Sequence, residues 1–426
     1  MMSKINIILL YSYYPLLLIV AYLQARAILP PYYQPLKGAI TIPFSLLVIY
    51  IGVVYFFNNR KKIPVLAVYF FYTLATVISY AFNERPIVLY FQEVAYVTLS
   101  MLIAFVAVDK TAGQDEKFYK ILLFSWVICF IVGFYLYFFR PEWYTNAISE
   151  QHLASSWENQ MLSEQQVLEQ FRFGSFTLDS YSVSFLSMFL FPMSIYYYNR
   201  AKSLKKCLFF LISIIVVVAA VLSMQRAAIV CLLLDVFILY FIGEKKLKKS
   251  MLYVIIFILS LIILTGGYLI ASEGIGEKVL EGFGSDRMDD AVNGSRLSQI
   301  KNVFNELVNP ITGQGIGSLG GRAREIGLIG VSDCCWVKIL CEQGLIGFSL
   351  FGSLIYLTLR RALKHRYFYY IEICAIINIL IAMLVADPLF YQVYIIPFWF
   401  MIGKVWNKSY LEMLQKQQIN NKLEHI

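Results

Sequence analysis

Histidine is scarce in this chain, and its scarcity excludes several classes of enzyme. The 426 residues contain only His152, His365 and His425, and each stands alone in its segment. A histidine-based metal site or a Ser-His-Asp triad needs such side chains in combination. The seven cysteines show neither the spacing of a zinc site nor that of a disulfide framework. We therefore expect no metal site and no cofactor.

Charge is also scarce, and long apolar runs take its place. Charged residues make up 15% of the chain, hydrophobic residues 59%, and the mean hydropathy is +0.66. Because about 20 apolar residues cross a bilayer, we predict an all-α fold. It is a polytopic transmembrane bundle of about twelve spans, and residues 1–426 form a single integral membrane domain. The spans are predicted near 5–24, 38–57, 63–82, 87–108, 119–138, 181–198, 207–223, 226–243, 251–271, 338–359, 367–386 and 388–403.

Basic connections alternate along the chain, which predicts its orientation. They are 60–62, 200–206, 245–249, 360–366 and, after the last span, 404–408, while 109–118 falls on the same side with a mixed charge that neither strengthens nor breaks the pattern. Because Lys and Arg resist translocation, these connections and both termini are expected to be cytoplasmic. Two long loops, 139–180 and 272–332, then lie on the outer side. The last two spans, on either side of Asp387, are also compatible with one re-entrant hairpin.

The second long loop divides into two parts. Residues 295–308 place apolar side chains at helical spacing, which predicts an amphipathic helix that Pro310 ends. Five glycines at 313–321 then predict a flexible loop before Arg322 and Arg324. Backbone N–H groups of a glycine-rich loop beside arginines can bind phosphate. A simple flexible connection explains the same glycines equally well.

Arginines on the predicted outer side run against the usual charge bias of membrane proteins. Arg172 precedes the sixth span, Arg226 lies in the turn between the seventh and eighth, and Arg296 begins the amphipathic helix. A guanidinium group binds phosphate oxygens in bidentate fashion and stays charged in apolar surroundings. These arginines are candidate ligands for an anion. A snorkelling anchor for Arg226, and solvated loop charges for the other two, are the alternatives.

Two carboxylates fall inside predicted spans. Asp235 lies near the middle of the eighth span and Glu93 about a third of the way into the fourth. An ionised group at that depth is costly unless it is paired or hydrated. A structural role, in which each carboxylate ties helices together, is the favoured interpretation for Asp235.

Four short segments follow one another in the second half of the chain: Ser223-Met-Gln-Arg226, Gly294-Ser-Arg296, Asn309-Pro-Ile-Thr-Gly-Gln-Gly-Ile-Gly317, and Asp333-Cys334 followed by Gly344-Leu-Ile-Gly347. Taken together and in this order, they resemble the bacterial O-antigen polymerase and O-antigen ligase superfamily. The resemblance covers roughly the second half of the chain, and the predicted topology is similar as well. A looser similarity extends to Arg172-Phe-Gly-Ser-Phe176.

The resemblance implies a metal-independent inverting glycosyltransferase at the periplasmic face of the bacterial inner membrane. Such an enzyme, an O-antigen polymerase of lipopolysaccharide biosynthesis, moves a growing glycan from undecaprenyl pyrophosphate onto a lipid-linked repeat unit. Arg226 and Arg296 would hold the leaving pyrophosphate, while Arg172, Arg322 and Arg324 would bind substrate. The implied partners are the lipid-linked donor and acceptor glycans, membrane lipids and a polysaccharide chain-length regulator. No nucleic-acid partner is expected.

Asp333 is where the chain departs from the ligase branch, which has a histidine followed by a small polar residue. A carboxylate at this position can act as general base on the acceptor hydroxyl. Capping of the following helix is the alternative role. The departure favours a polymerase over an O-antigen ligase, and a flippase or transporter of lipid-linked oligosaccharide remains the third candidate. Four aromatic residues of the first long loop are candidates for stacking on sugars: Trp143, Trp157, Phe171 and Phe173.

Overall fold

The structure is all-helical wherever it is described, and no strand occurs among the described residues. It is a computed structural model. The described residues are 65–83, 98–108, 116–145, 173–174, 180–223, 225–242, 309–319, 334–390 and 392–423, with single positions before 98. Three helices among them are long and apolar enough to cross a membrane: Lys117–Phe139, Ser203–Leu222 and Cys335–Lys364. The predicted all-α class and membrane character therefore agree with the structure.

Ten α-helices lie within the described residues, and a 3-10 turn, Pro388–Phe390, joins the eighth to the ninth. Most begin and end within a few residues of a predicted span. The span predicted at 251–271 lies outside the described residues, as do most of those at 5–24, 38–57 and 87–98. The helices are α1 Val65–Ala81, α2 Ile103–Val108, α3 Lys117–Phe139, α4 Ser180–Arg200, α5 Ser203–Leu222, α6 Arg226–Ile242, α7 Cys335–Lys364, α8 Tyr370–Val385, α9 Gln392–Trp406 and α10 Lys408–Leu423.

Burial separates a central helix from peripheral ones. Every residue of α4 from 182 to 197 is buried, including four serines. Helices α1, α3 and α6 instead expose large apolar side chains, among them Phe70, Ile128 and Phe237. An exposed apolar face of this kind is unfavourable in water, whereas in a bilayer it meets hydrocarbon. Helices α3, α5, α6, α8 and α9 pack around α4, and α1 packs on α7.

The described bundle has two chemically different ends. At one, which we call the basic end, Arg200 pairs with Glu116 at 3.6 Å and the Nε of Arg361 donates to the carbonyl of Val405 at 2.8 Å. The predicted basic connections that flank these residues therefore meet at one end. The opposite end, called the loop end, contains residues 309–319 and the turn after α8.

Helices α8 and α9 both run from one end of the bundle to the other. At the basic end, Glu372 of α8 lies 3.6 Å from the Nζ of Lys404 near the end of α9. At the loop end, the carbonyl of Ala386 accepts a hydrogen bond from the amide of Cys335 at 3.3 Å. The pair formed by α8 and α9 therefore extends from the basic end to the loop end of the described bundle.

Candidate functional site

A sharp break divides α7 at Gly344, whose backbone has φ 65° and ψ −171°. The rings of Trp336 and Phe351 approach to 6.1 Å between centroids. Fifteen residues separate them, which in a continuous helix corresponds to about 22 Å of rise. The short arm, residues 335–343, therefore folds back toward the long arm, residues 345–364. The span predicted near 338–359 therefore lies within α7 but is interrupted at this glycine.

Residues 309–319, here called the glycine loop, supply the hydrogen bonds that the break removes from α7. A helix break frees carbonyls on one side and amides on the other, and buried backbone groups need new partners. The prediction of a flexible loop is wrong for residues 313–319, since all of them are buried. Four bonds join loop and helix: Gln314 N–H to Cys341 O (2.8 Å), Gly315 N–H to Glu342 O (3.1 Å), Leu345 N–H to Pro310 O (2.9 Å) and Ile346 N–H to Ile311 O (3.4 Å).

Close backbone approach explains the glycines of both segments. A Cβ on Gly344 would lie 2.1 Å from the carbonyl oxygen of Ile311, and one on Gly313 would lie 2.5 Å from the backbone of Glu342. Both glycines also have positive φ. At Gly347 a Cβ would lie 2.4 Å from the Cβ of Gln343. The two glycine-containing segments, 309–317 and 344–347, are thus direct neighbours in space.

Glu342 connects the glycine loop to α1. Its side chain is 2% exposed, and its Oε1 accepts the amide of Leu319 at 2.9 Å. Its backbone carbonyl also accepts a hydrogen bond from the hydroxyl of Ser79, and Asn83 Nδ2 donates to the carbonyl of Gly313 at 3.0 Å. Sequence reasoning missed this glutamate, although a carboxylate inside a predicted span was a signal of the kind used for Asp235.

Lys338 and Asp387 form an ion pair beside this junction. The Nζ of Lys338 lies 2.8 Å from Oδ2 of Asp387, and the side chains are 5% and 16% exposed. The other oxygen, Oδ1, is buried and accepts no hydrogen bond from the described residues. The Cys335 thiol lies beside the same carboxylate. Sequence reasoning used Asp387 only for topology and passed over Lys338, although a lysine in an apolar segment points to a buried partner.

The Asp235 carboxylate joins α6 to α8. Its contact with α8 also shows how deep Arg226 and Asp387 lie along the bundle relative to each other. Asn378 Nδ2 donates to both carboxylate oxygens, at 2.9 and 3.0 Å, and to the carbonyl of Met188. The expected helix-tying role of Asp235 is therefore confirmed. Arg226 precedes Asp235 by nine residues and Asp387 follows Asn378 by nine, so each lies about 14 Å of helix rise nearer the loop end. The backbone of Arg226 and Asp387 are thus at similar depth on neighbouring helices.

The segments that carry Arg172 and Arg226 meet at the loop end. The amide of Phe173 donates to the carbonyl of Leu222 at 3.1 Å. The ring of Phe173 is stacked on Phe134 at 5.0 Å between centroids and is fully buried. Its predicted stacking on a sugar is therefore wrong. The ring is part of the hydrophobic core and packs against α3.

Most of the predicted site residues lie outside the described residues. The structure describes the backbone of Arg226, which begins α6, and Trp143, which is half-buried against Tyr144. The N-cap of α7 is Cys334, and Asp333, for which a capping role was considered, stays untested. Outside the described residues are Arg172, Arg296, Arg322, Arg324, Asp333, Trp157, Phe171, Glu93 and the predicted amphipathic helix 295–308.

A second polar cluster, which sequence reasoning missed, lies at the basic end. Tyr119 Oη donates to Glu372 Oε1 at 2.7 Å, and Lys404 Nζ lies 4.1 Å from the centre of the Tyr119 ring. Lys404 and Glu372 side chains are 4% and 2% exposed. In the nearby turn, burial together with Arg361 and Lys364 lowers the pKa of His365. The Lys404–Glu372 pair is closed to solvent and holds α3, α8 and α9 together.

The loop end thus places the candidate chemistry in one region. The glycine loop, the short arm of α7, the Lys338–Asp387 pair and the first residue of α6 all lie there. Such a region combines carboxylates, an ammonium group and non-helical backbone, which are the elements of a polar ligand site at the end of a helical bundle. Comparison of the chain with models of known protein families and with curated proteins finds no match.

Proposed function

We propose that this protein is a polysaccharide repeat-unit polymerase of the bacterial inner membrane. It transfers a growing glycan from undecaprenyl pyrophosphate onto a lipid-linked repeat unit at the periplasmic face. In this proposal the chain forms about twelve spans with both termini cytoplasmic, and the loop end faces the periplasm. The two long loops, 139–180 and 272–332, then cover the site from the periplasmic side.

The observation that carries the proposal is the contact between the glycine loop and the break in α7. Segments 309–317 and 344–347 belong to the set whose order resembles the O-antigen polymerase and ligase superfamily, and they are joined by backbone hydrogen bonds. Two further members of that set, around Arg172 and Arg226, have backbones that lie close together. Segments that are scattered in sequence and meet at one end of the bundle are what a shared site requires.

The proposed roles follow from the charge that develops during transfer. As the glycosidic bond to pyrophosphate breaks, negative charge builds on the departing phosphate, and Arg226 and Arg296 would stabilise it. Arg172, Arg322 and Arg324 would bind the glycan or pyrophosphate of the acceptor. Asp333 precedes the short arm of α7 directly and would activate or orient the acceptor hydroxyl.

A flippase or transporter is the second candidate, and one observation favours it. Helices broken inside a bundle, with buried charges beside the break, are typical of transporters that bind their substrate there. The break at Gly344, with Lys338 and Glu342 on the short arm, fits that description. A transporter would move a lipid-linked oligosaccharide without changing its covalent structure, so the products distinguish the two functions.

The test is a gel of lipopolysaccharide and lipid-linked glycan from a strain that lacks the gene. Loss of polymerase leaves core capped with a single repeat and no ladder. Uncapped core with long polymer on the lipid carrier would indicate a ligase, and uncapped core with single repeats trapped on the cytoplasmic side a flippase. An unchanged pattern would refute all three functions for this polysaccharide. Restoration of the ladder by the wild-type gene is the control.

A further inference from the structure

We infer that the carboxylate of Asp387 accepts the proton of the acceptor hydroxyl during glycan transfer, and that Lys338 positions it. This inference rests on the proposed polymerase function. It assigns the proton transfer to a residue on the α8–α9 turn, and of the two roles proposed for Asp333 it leaves that of orienting the acceptor. The structure supplies three reasons, namely the geometry of the ion pair, the second carboxylate oxygen and the depth of the residue.

The ion pair fixes the carboxylate in one orientation. Lys338 Nζ lies 2.8 Å from Oδ2, and its side chain is 5% exposed, so this oxygen has a buried cationic partner. The turn that carries Asp387 is itself anchored, because the amide of Cys335 donates to the carbonyl of Ala386. Lys338 therefore lies on the short arm of α7, and Asp387 lies on the turn after α8, which that arm anchors. A fixed carboxylate is what a positioned proton acceptor requires.

The second oxygen of Asp387 is left as an acceptor. Oδ1 is buried and accepts no hydrogen bond from the described residues. A buried polar atom without a partner costs free energy, so its retention calls for a reason such as a catalytic role. The titratable groups that face it are Lys338 and the Cys335 thiol, with Glu342 one turn further along the short arm. An acceptor hydroxyl that donates to Oδ1 would satisfy this atom.

The depth of Asp387 suits the reaction. It lies at the level of the first residue of α6, Arg226, which is a proposed ligand of the leaving pyrophosphate. In the inferred step the acceptor oxygen forms a bond to the anomeric carbon of the donor glycan. The bond from that carbon to pyrophosphate oxygen breaks, and the electron pair leaves with the pyrophosphate. The hydroxyl proton moves to Oδ1 of Asp387, so charge and protons balance.

The test measures the initial rate of polymerisation in membrane vesicles that contain the full-length protein and a synthetic undecaprenyl-pyrophosphate-linked repeat unit. Asp387→Asn should lower the rate about 100-fold or more and change its dependence on pH, because the amide cannot accept the proton. Asp387→Glu should recover part of the rate. A rate for Asp387→Asn within about threefold of the wild type would overturn the inference, as would an unchanged pH profile.

Two controls separate catalysis from folding. Glu372→Gln breaks the second buried lysine–carboxylate pair, Lys404–Glu372, which joins α8 to α9. It should lower thermal stability and leave the dependence of the rate on pH unchanged. The double variant Lys338→Met/Asp387→Leu removes both charges; it should fold and remain inactive. Recovery of activity in that double variant would show that the pair is structural only. If wild-type vesicles make no polymer and the gene deletion keeps its ladder, the proposed function itself fails.

Discussion

Replacing Gly344 by alanine should separate the glycine loop from α7. The added Cβ would lie 2.1 Å from the oxygen and 2.4 Å from the carbon of the Ile311 carbonyl, and 2.6 Å from the amide nitrogen of Gly313. All three are backbone atoms, so no side-chain rotation relieves the overlap. In addition, φ 65° with ψ −171° lies in a region that is essentially confined to glycine.

The magnitude follows from what the substitution costs. Holding alanine in this conformation costs ~1–3 kcal/mol. Moving the loop away instead loses the four backbone hydrogen bonds across the break, each of which contributes ~0.5–1.5 kcal/mol. We therefore expect a loss of about 3–6 kcal/mol in the free energy of unfolding. That loss is a large fraction of the ~5–15 kcal/mol that stabilises a typical domain.

The assay combines thermal unfolding of the purified protein in detergent with maleimide labelling read at each cysteine by mass spectrometry. Cys341 is fully buried against the glycine loop, so displacement of the loop should expose it, while exposed Cys207 reports labelling efficiency. Gly352→Ala is the matched control on the same helix, because nothing lies within 4 Å of its added Cβ. A helical glycine-to-alanine change without a clash should stabilise the protein by ~0.5–1 kcal/mol. Equal stability of the two variants, with Cys341 protected in both, would refute the reasoning.

Three further predictions concern other parts of the molecule. Gly347→Ala should cost about 1–3 kcal/mol in the same unfolding assay, because the added Cβ would lie 2.4 Å from the Cβ of Gln343, which no side-chain rotation can move. Stability equal to that of the Gly352→Ala variant would contradict this. Glu372→Gln should lower the free energy of unfolding by ~3–5 kcal/mol, because it leaves the buried charge of Lys404 without its carboxylate. Replacing both partners by apolar residues should cost much less. Equal losses in the two variants would contradict this reasoning. Arg296→Ala should leave protein abundance intact and abolish polymer on a lipopolysaccharide gel, and polymer of wild-type length would exclude the leaving-group role.

The helices themselves were predictable because their cause is local. A run of about 20 apolar residues forms a helix in a bilayer whatever surrounds it, since no other structure satisfies its backbone there. For this reason α1 and α3–α6 begin and end close to the predicted positions. The same argument failed at Gly344, where an apolar run continues across a break. Hydropathy cannot detect a break whose freed hydrogen bonds are supplied by residues 309–319.

The candidate site was only partly predictable for a related reason. The sequence by itself determined the helical class, the apolar character and the segments that carry glycine and arginine, because each depends on residue type along the chain. Only the tertiary structure decided that segments 309–317 and 344–347 bind each other, that Phe173 is core, and that Lys338 pairs with Asp387 across 49 residues. Such pairings depend on how helices pack and on which buried polar groups can reach each other. Local sequence determines neither the helix packing nor the choice of partner. A buried charge can pair with any suitable group that the packing brings within about 3 Å.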